Sequence, residues 1–210
     1  MRWLRYQADD RDAYGIIEGD EVVEVAGDPF AGYSMTRTRR KLRDVKFLVP
    51  VIPKDAGELV QYEAELVAVI GTQAKHLSER DAFSCILGWT IGNDMSERTW
   101  QRNDRTLWRA KNTDTFKPMG PWIETDFDLD KAETIVRVND EVTDKFRTNN
   151  MIHGVAKFIS RMSQYLTLYP GDVVWMGTEG APRNLKHGDV CEIEITGIGI
   201  LRNPLVRAAA

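Results

Sequence analysis

The sequence predicts a β-rich α+β protein, and three observations predict it. Short apolar runs end repeatedly at Gly and Asp, as strands between tight turns do. One long stretch, residues 149–166, carries apolar residues at helical spacing. Strands and helices do not alternate regularly, which argues against a doubly wound α/β sheet. With 210 residues, 42% of them hydrophobic, the chain can bury a core without staples.

The elements follow in order. Trp3, Leu4 and Tyr6 open an alternating segment, Tyr14-Gly-Ile-Ile17 continues it, and a turn at Glu18-Gly-Asp20 leads into Val22-Val-Glu-Val25. These predict a small N-terminal β unit over residues 1–45, with a larger domain over 46–210. The basic run Arg37-Thr-Arg-Arg-Lys41 reads as a solvated connector rather than a phosphate-binding arm. Phe47-Leu-Val49 and Val51-Ile52 read as a Pro-interrupted linker. Tyr62-Glu-Ala-Glu-Leu-Val-Ala-Val-Ile70 is the strongest strand. Ser78 as an N-cap predicts a helix over 78–87. Trp89-Thr-Ile-Gly-Asn-Asp94 is a short strand, 95–103 a polar helical turn, and 121–125 and 134–138 further strands. Ile152, Val155, Phe158, Ile159, Met162 and Leu166 define the helix over 149–166. Gly171-Asp-Val-Val-Trp-Met176, Gly188-Asp-Val-Cys-Glu-Ile-Glu-Ile195 and Gly197-Ile-Gly-Ile-Leu201 close the chain as strands and turns.

Charge and composition restrict the partners. A net charge of -4, from 32 acidic and 28 basic residues, weighs against nucleic acid. No apolar run approaches the ~20 residues of a membrane helix. Met1-Arg-Trp-Leu-Arg-Tyr6 has no long apolar stretch behind it, so no signal peptide is read there. Cys85 and Cys191 lie far apart in apolar surroundings and read as small core residues. The expectation is a cytoplasmic protein acting on a small molecule, with no nucleic acid or membrane partner.

The chemistry gathers at three carboxylates. Glu63 and Glu65 are two apart in an apolar strand, so alternation puts both on one face. Two like charges on a half-buried strand repel and lose hydration, and a divalent cation between them removes both penalties. A solvated outer face is the competing explanation. Asp94 ends a second apolar strand and offers a third carboxylate, and an all-oxygen set favours Mg²⁺, Mn²⁺ or Ca²⁺ over Zn²⁺. Sequence distance alone does not show that Asp94 meets the two glutamates.

A resemblance supplies that link. Tyr62-Glu-Ala-Glu-Leu-Val-Ala-Val-Ile-Gly71 resembles the metal-binding strand of the fumarylacetoacetate hydrolase family. Gly88-Trp-Thr-Ile-Gly-Asn-Asp-Met-Ser-Glu-Arg-Thr-Trp-Gln101 is similar to its segment with the third metal carboxylate. Ala110-Lys-Asn-Thr-Asp-Thr-Phe-Lys-Pro-Met-Gly-Pro-Trp122 is similar to its lysine loop. Pro170-Gly-Asp172, Gly177-Thr178, Gly188-Asp189 and Gly197-Ile-Gly199 resemble its closing strands and turns. The resemblance implies a mixed β-sheet roll with the small N-terminal unit attached. It implies Glu63, Glu65 and Asp94 as metal ligands, and Arg98, Gln101 and Lys111 facing the substrate. Thr178 would hold a substrate carboxylate, and Thr115 would stand at or behind the metal. Taken alone, Arg98 and Gln101 read as surface residues, and Lys111 could simply pair with Asp114. The implied cofactor is Mg²⁺, or else Mn²⁺ or Ca²⁺, and the implied assembly a homodimer.

The leading function so implied is hydrolysis of a C–C bond in a 2,4-dioxo acid of the acylpyruvate or fumarylpyruvate type. A metal would act as Lewis acid on the developing enolate, with Lys111 as a fixed positive charge beside the oxyanion. The alternative is isomerisation or decarboxylation of 2-hydroxyhepta-2,4-diene-1,7-dioate or oxaloacetate-like acids. A further alternative is a metal-binding remnant without turnover. One departure bears on the choice. Family members carry, before the Glu-x-Glu strand, a lid with a His and a Glu that handle water. Here Phe47-Leu-Val-Pro50 runs through Val51-Ile-Pro-Lys54 to Asp55-Ala-Gly-Glu58 with nothing similar. Either the lid is lost, or the printed sequence closes up over it and the backbone breaks between Val49 and Asp55. His76, His153 and His187 read as surface or capping residues rather than replacements.

Overall fold

The computed structural model describes residues 1–8, 11–45 and 50–208. Its strands are β1 (Arg2–Ala8), β2 (Arg11–Glu18), β3 (Glu21–Asp28), β4 (Gly32–Lys41), β5 (Val51–Ile52), β6 (Val60–Gln61), β7 (Ala64–Ile70), β8 (Ile86–Asn93) and β9 (Ser96–Glu97). Two short helices, α1 (Arg98–Gln101) and α2 (Trp108–Asn112), precede β10 (Met119–Glu124), β11 (Glu133–Val138) and β12 (Glu141–Arg147). The longest helix, α3 (Val155–Tyr165), is followed by β13 (Val173–Trp175), β14 (Val190–Ile195), β15 (Gly199–Pro204) and β16 (Val206–Arg207). The protein is α+β and strand-rich.

An eight-stranded sheet runs β13-β7-β8-β10-β1-β2-β3-β4, and a four-stranded sheet runs β12-β11-β14-β15. Pairing within both is antiparallel, while β5 and β16 pair in parallel. One apolar cluster joins them: Leu66, Ala68 and Ile70 of β7 and Ile91 of β8 share it with Val136, Ile193 and Ile195 of the smaller sheet. Val155 and Ile159 of α3 close the same core. Every residue of β7 is buried, which explains why this strand reads as an apolar run interrupted only by Glu65.

The N-terminal strands continue the large sheet, because β1 pairs with β10 through Arg2–Glu124 and Trp3–Ile123. They keep small cores of their own, one around Leu4, Tyr6 and Val22 and one around Trp3, Ile16 and Val25. The basic run is not a connector. It lies in β4, paired with β3, where Arg39 meets Glu18 and Lys41 meets Asp20 and Glu21. Acidic side chains across the strands turn a like-charged segment into a paired one.

Two helical expectations change. Within residues 78–87 only a 3₁₀ turn, Ala82–Cys85, forms before β8 begins at Ile86. Ser78 and Asp81 bond each other in a local turn instead of starting a full helix. The helix expected from 149 begins at Val155 with Gly154 at its N-cap, leaving Ile152 98% exposed. Cys85 and Cys191 are free and buried, and burial pushes both thiols up, Cys191 to about 12. The expected backbone break starts at Val49, and residues 46–49 lie outside the described residues. Past them, the Val51 N–H donates to Thr115 Oγ1, 2.7 Å away. No described helix is long and apolar enough to cross a membrane.

Candidate metal centre

Strand register brings the three carboxylates together. In the β7–β8 pair Ala64 lies opposite Asn93 and Glu65 opposite Gly92. Glu63 and Asp94 are therefore neighbours just beyond that pairing, where the Asp94 N–H donates to the Glu63 carbonyl at 2.9 Å. Carboxylate oxygens of Glu63, Glu65 and Asp94 all lie within 4.8 Å of one another. Glu65 and Asp94 are buried and Glu63 is half-buried.

Cations approach this cluster from three directions. Arg98 Nη2 reaches Glu63 Oε1 at 2.7 Å. Two more of its N–H groups go to Gln61 Oε1 and Gln101 Oε1, both at 2.8 Å, so a hydrogen-bonded frame holds its guanidinium. Lys111 Nζ bridges Glu63 Oε2 at 2.7 Å and Asp94 Oδ2 at 2.8 Å. Lys117 Nζ pairs with Asp94 Oδ1 and stands 4.8 Å from the Trp175 ring centroid. Lys111 is not paired with Asp114, and Arg98 and Gln101 are not detached surface residues. Burial would lower the Lys111 ammonium, but its bonds to Asp94 and Glu63 outweigh burial and hold its pKa above the ordinary value.

Glu65 differs from its neighbours. Among the described residues it has no ion pair, and its Oε2 accepts the Gly177 N–H at 2.6 Å. Burial, reinforced by the charges of Asp94 and Glu63, pushes its carboxyl up to about 7 against the pull of the Gly177 N–H. A buried carboxylate lacking a cation, beside two others, is a donor set that fits a hard divalent ion. The three acids can thus coordinate a divalent metal.

Local structure explains the placement of each cation. The Glu97 side chain caps α1 by accepting the Trp100 N–H, which sets Arg98 at the start of the turn. Asp104 Oδ2 accepts the N–H groups of Arg109 and Ala110 at the start of α2, which carries Lys111. Arg109 stacks 3.9 Å from the Trp100 ring centroid and pairs with Asp55, tying α2 to α1 and the preceding loop. Trp175 packs across β8 at Gly92, where a Cβ would lie 2.2 Å from its ring, so only glycine leaves it room. Gly177 has φ +86, which suits glycine and aims its N–H at Glu65. Tyr62 bonds Asp144 at 2.5 Å, and Asp144 also accepts the Ala181 N–H, anchoring the loop beyond Gly177. Burial and the Asp144 bond push the Tyr62 hydroxyl up to about 12.

Two expected residues stand apart from the cluster. The Thr178 side chain is exposed and donates to the Glu179 carbonyl, although its neighbour Gly177 touches Glu65. Thr115 is held by the Val51 N–H and has no bond to the three acids. Lys117 was not anticipated. A second lysine in the lysine loop, directly before Pro118, was the available signal, but its contact depends on Trp175, 58 positions away in sequence.

A family model described as the C-terminal domain of fumarylacetoacetate hydrolase matches residues 42–206. The chain belongs to the fumarylacetoacetate hydrolase family. A second model, described as an Rv2993c-like N-terminal unit, matches residues 1–50. Among solved structures of the family, a 5-carboxymethyl-2-hydroxymuconate delta-isomerase from Mycobacterium smegmatis superposes with a TM-score of 0.91. It is 35% identical, over 99% of this chain and 100% of that one. A 2-hydroxyhepta-2,4-diene-1,7-dioate isomerase from Mycobacterium marinum gives a TM-score of 0.90 at 34% identity, over 100% of both chains. A mitochondrial oxaloacetate tautomerase from Homo sapiens is 36% identical over 168 residues, 74% of this chain and 53% of that protein. The chain spans 53% to 65% of the length of the curated relatives it matches.

Proposed function

We propose that the protein is a divalent-metal-dependent isomerase or tautomerase of small 2-oxo dicarboxylic acids. The observation that carries this reading is Lys111 bridging Glu63 and Asp94 beside the cation-free Glu65. Relatives named as isomerases and an oxaloacetate tautomerase support it over the hydrolase reading that the sequence put first.

Glu63, Glu65 and Asp94 would hold the cation, Mg²⁺ or Mn²⁺ by donor type. When bound, it supplies Lewis acidity to the carbonyl of a 2-oxo acid. Moving a proton between carbon and oxygen builds negative charge on the 2-oxo oxygen, and the Lys111 ammonium supplies a fixed positive charge for it. Arg98, held by Gln61 and Gln101, keeps Glu63 oriented and faces the substrate. Thr178, on the turn next to Gly177, would receive a substrate carboxylate. Hydrolysis additionally needs a base to activate water. His76 meets Gln164, His187 meets the Arg207 N–H, and His153 lies in the exposed turn before α3.

The test is product analysis with Mn²⁺-loaded protein on oxaloacetate, an unsaturated 2-hydroxy dioic acid and an acylpyruvate. Tautomer or double-bond exchange with intact carbon chains is expected. Acylpyruvate cleavage to pyruvate and a carboxylic acid would restore the hydrolase reading, and no change in any substrate would favour the metal-binding remnant.

A further inference from the structure

We propose that Lys117 is a specificity-determining residue that binds the second carboxylate of a dianionic substrate. The inference deepens the 2-oxo acid reading above and rests on it.

Donor accounting separates Lys117 from the other two cations. Arg98 places three of its five N–H groups on Glu63, Gln61 and Gln101, which fixes its plane, and its side chain is 22% exposed. Lys111 spends two of its three on Glu63 and Asp94, and its side chain is 13% exposed. Lys117 makes a single ion pair among the described residues, with Asp94, and its side chain is 30% exposed. Among the described residues its other N–H groups meet no acceptor. The Trp175 face steadies the ammonium by cation–π attraction, which consumes no N–H. Trp175 is itself fixed, since Gly92 alone leaves room for its ring and its backbone pairs with Val67 of β7.

Charge complementarity identifies the ligand. The three carboxylates and the three cations cancel. A bound dication leaves two positive charges, which a dianion neutralises and a monoanion does not. The two lysines flank Asp94 on its two oxygens, so a short dioic acid placed with its oxo group toward Lys111 can carry its far carboxylate to Lys117. A cation held by Asp94 would compete with Lys117 for that carboxylate and leave the ammonium to a substrate anion.

Two unreactive probes isolate the second carboxylate. Oxamate and N-oxalylglycine present the same carboxylate–carbonyl pair, neither enolises, and only N-oxalylglycine carries a further carboxylate. Calorimetry on Mn²⁺-loaded protein should show N-oxalylglycine bound about tenfold more tightly than oxamate, as expected for one charged hydrogen bond. Lys117→Met should lose about that tenfold for N-oxalylglycine and leave oxamate within about twofold, and Lys117→Arg should keep the preference. Mn²⁺ alone should bind Lys117→Met more tightly, because Asp94 loses a competing cation. A melting curve verifies folding, and Lys117→Gln replaces the Met variant if that variant is unstable. Equal loss for both probes, or none, overturns the proposal, as does weaker Mn²⁺ binding by a folded variant. Wild-type protein that binds both probes alike overturns it while leaving the 2-oxo acid reading intact. Wild-type protein that binds neither probe overturns both.

Discussion

At the scale of single residues, Glu63, Glu65 and Asp94 were legible from a two-residue spacing and a family motif, although β7 begins at Ala64 and leaves Glu63 just before the strand. What surrounds them was less so, since ion pairs to Lys111 and Lys117 depend on loops meeting strands. This changes what Asp94 does. From the sequence, removing one of three acids relieves repulsion. In the structure Asp94 neutralises two lysines, so Asp94→Ala should destabilise the metal-free protein by about 1–3 kcal/mol in denaturant melts. The same variant should lose metal-dependent turnover by more than about a hundredfold, since even outer partners of metal ligands cost about 10–100-fold. Wild-type rates in that variant would remove the proposed site. The Glu65 carboxyl gives a pH signature. Its folded pKa, about 7, lies above the ordinary 4.5, so the metal-free fold holds more protons than the unfolded chain between those values. The Glu65 contribution to metal-free stability should be full below pH 4.5 and be lost as pH rises through 7. A cation must displace that proton, so Mn²⁺ affinity should fall as pH drops below 7, with proton release on binding. Calorimetry in buffers of different ionisation enthalpy checks this, and pH-independent Mn²⁺ binding between pH 5.5 and 8 would place the buried proton elsewhere.

At the scale of elements, long apolar runs were readable and short turns were not. β7 (Ala64–Ile70) and β8 (Ile86–Asn93) overlap the expected strands 62–70 and 89–94 because buried residues, most of them apolar, run through both, with β8 starting three residues earlier than its sequence predicts. The segment at 78–87 failed as a helix because Ser78 and Asp81 satisfy each other locally and the chain needs Ile86 onward for β8. β4 was missed because its basic residues hide the strand signal until acidic partners on β2 and β3 are known. The sheet is the platform for the site, so core defects should reach it. Ile91→Ala, at a fully buried position in the shared core, should cost about 2–5 kcal/mol in urea unfolding. Gly92→Ala should displace Trp175, and a shift in tryptophan emission together with weaker N-oxalylglycine binding is the expected readout. Unchanged emission would mean that the ring does not depend on that glycine.

At the scale of the whole molecule, the β-rich α+β class was visible in the spacing of turns. The joining of the N-terminal strands into one large sheet was not, because the β1–β10 pairing links residues more than a hundred positions apart. The division at residue 45 and the homodimer stand as proposals. Exposed Tyr165, Leu166 and Tyr169 at and beyond the end of α3 are the kind of surface such a dimer buries. Sedimentation at micromolar concentration should give twice the mass of one 23.9 kDa chain, and a monomer there would contradict the assembly. The central claim is that this cluster, loaded with a divalent cation, interconverts tautomers of a 2-oxo dicarboxylic acid. Its most direct test is the decay of the enol absorbance of oxaloacetate with Mn²⁺-loaded protein, before and after addition of a chelator. The account predicts a protein-dependent acceleration that the chelator abolishes and Mn²⁺ restores. Decay no faster than in buffer with Mn²⁺ alone, or acceleration that survives full chelation, would contradict it.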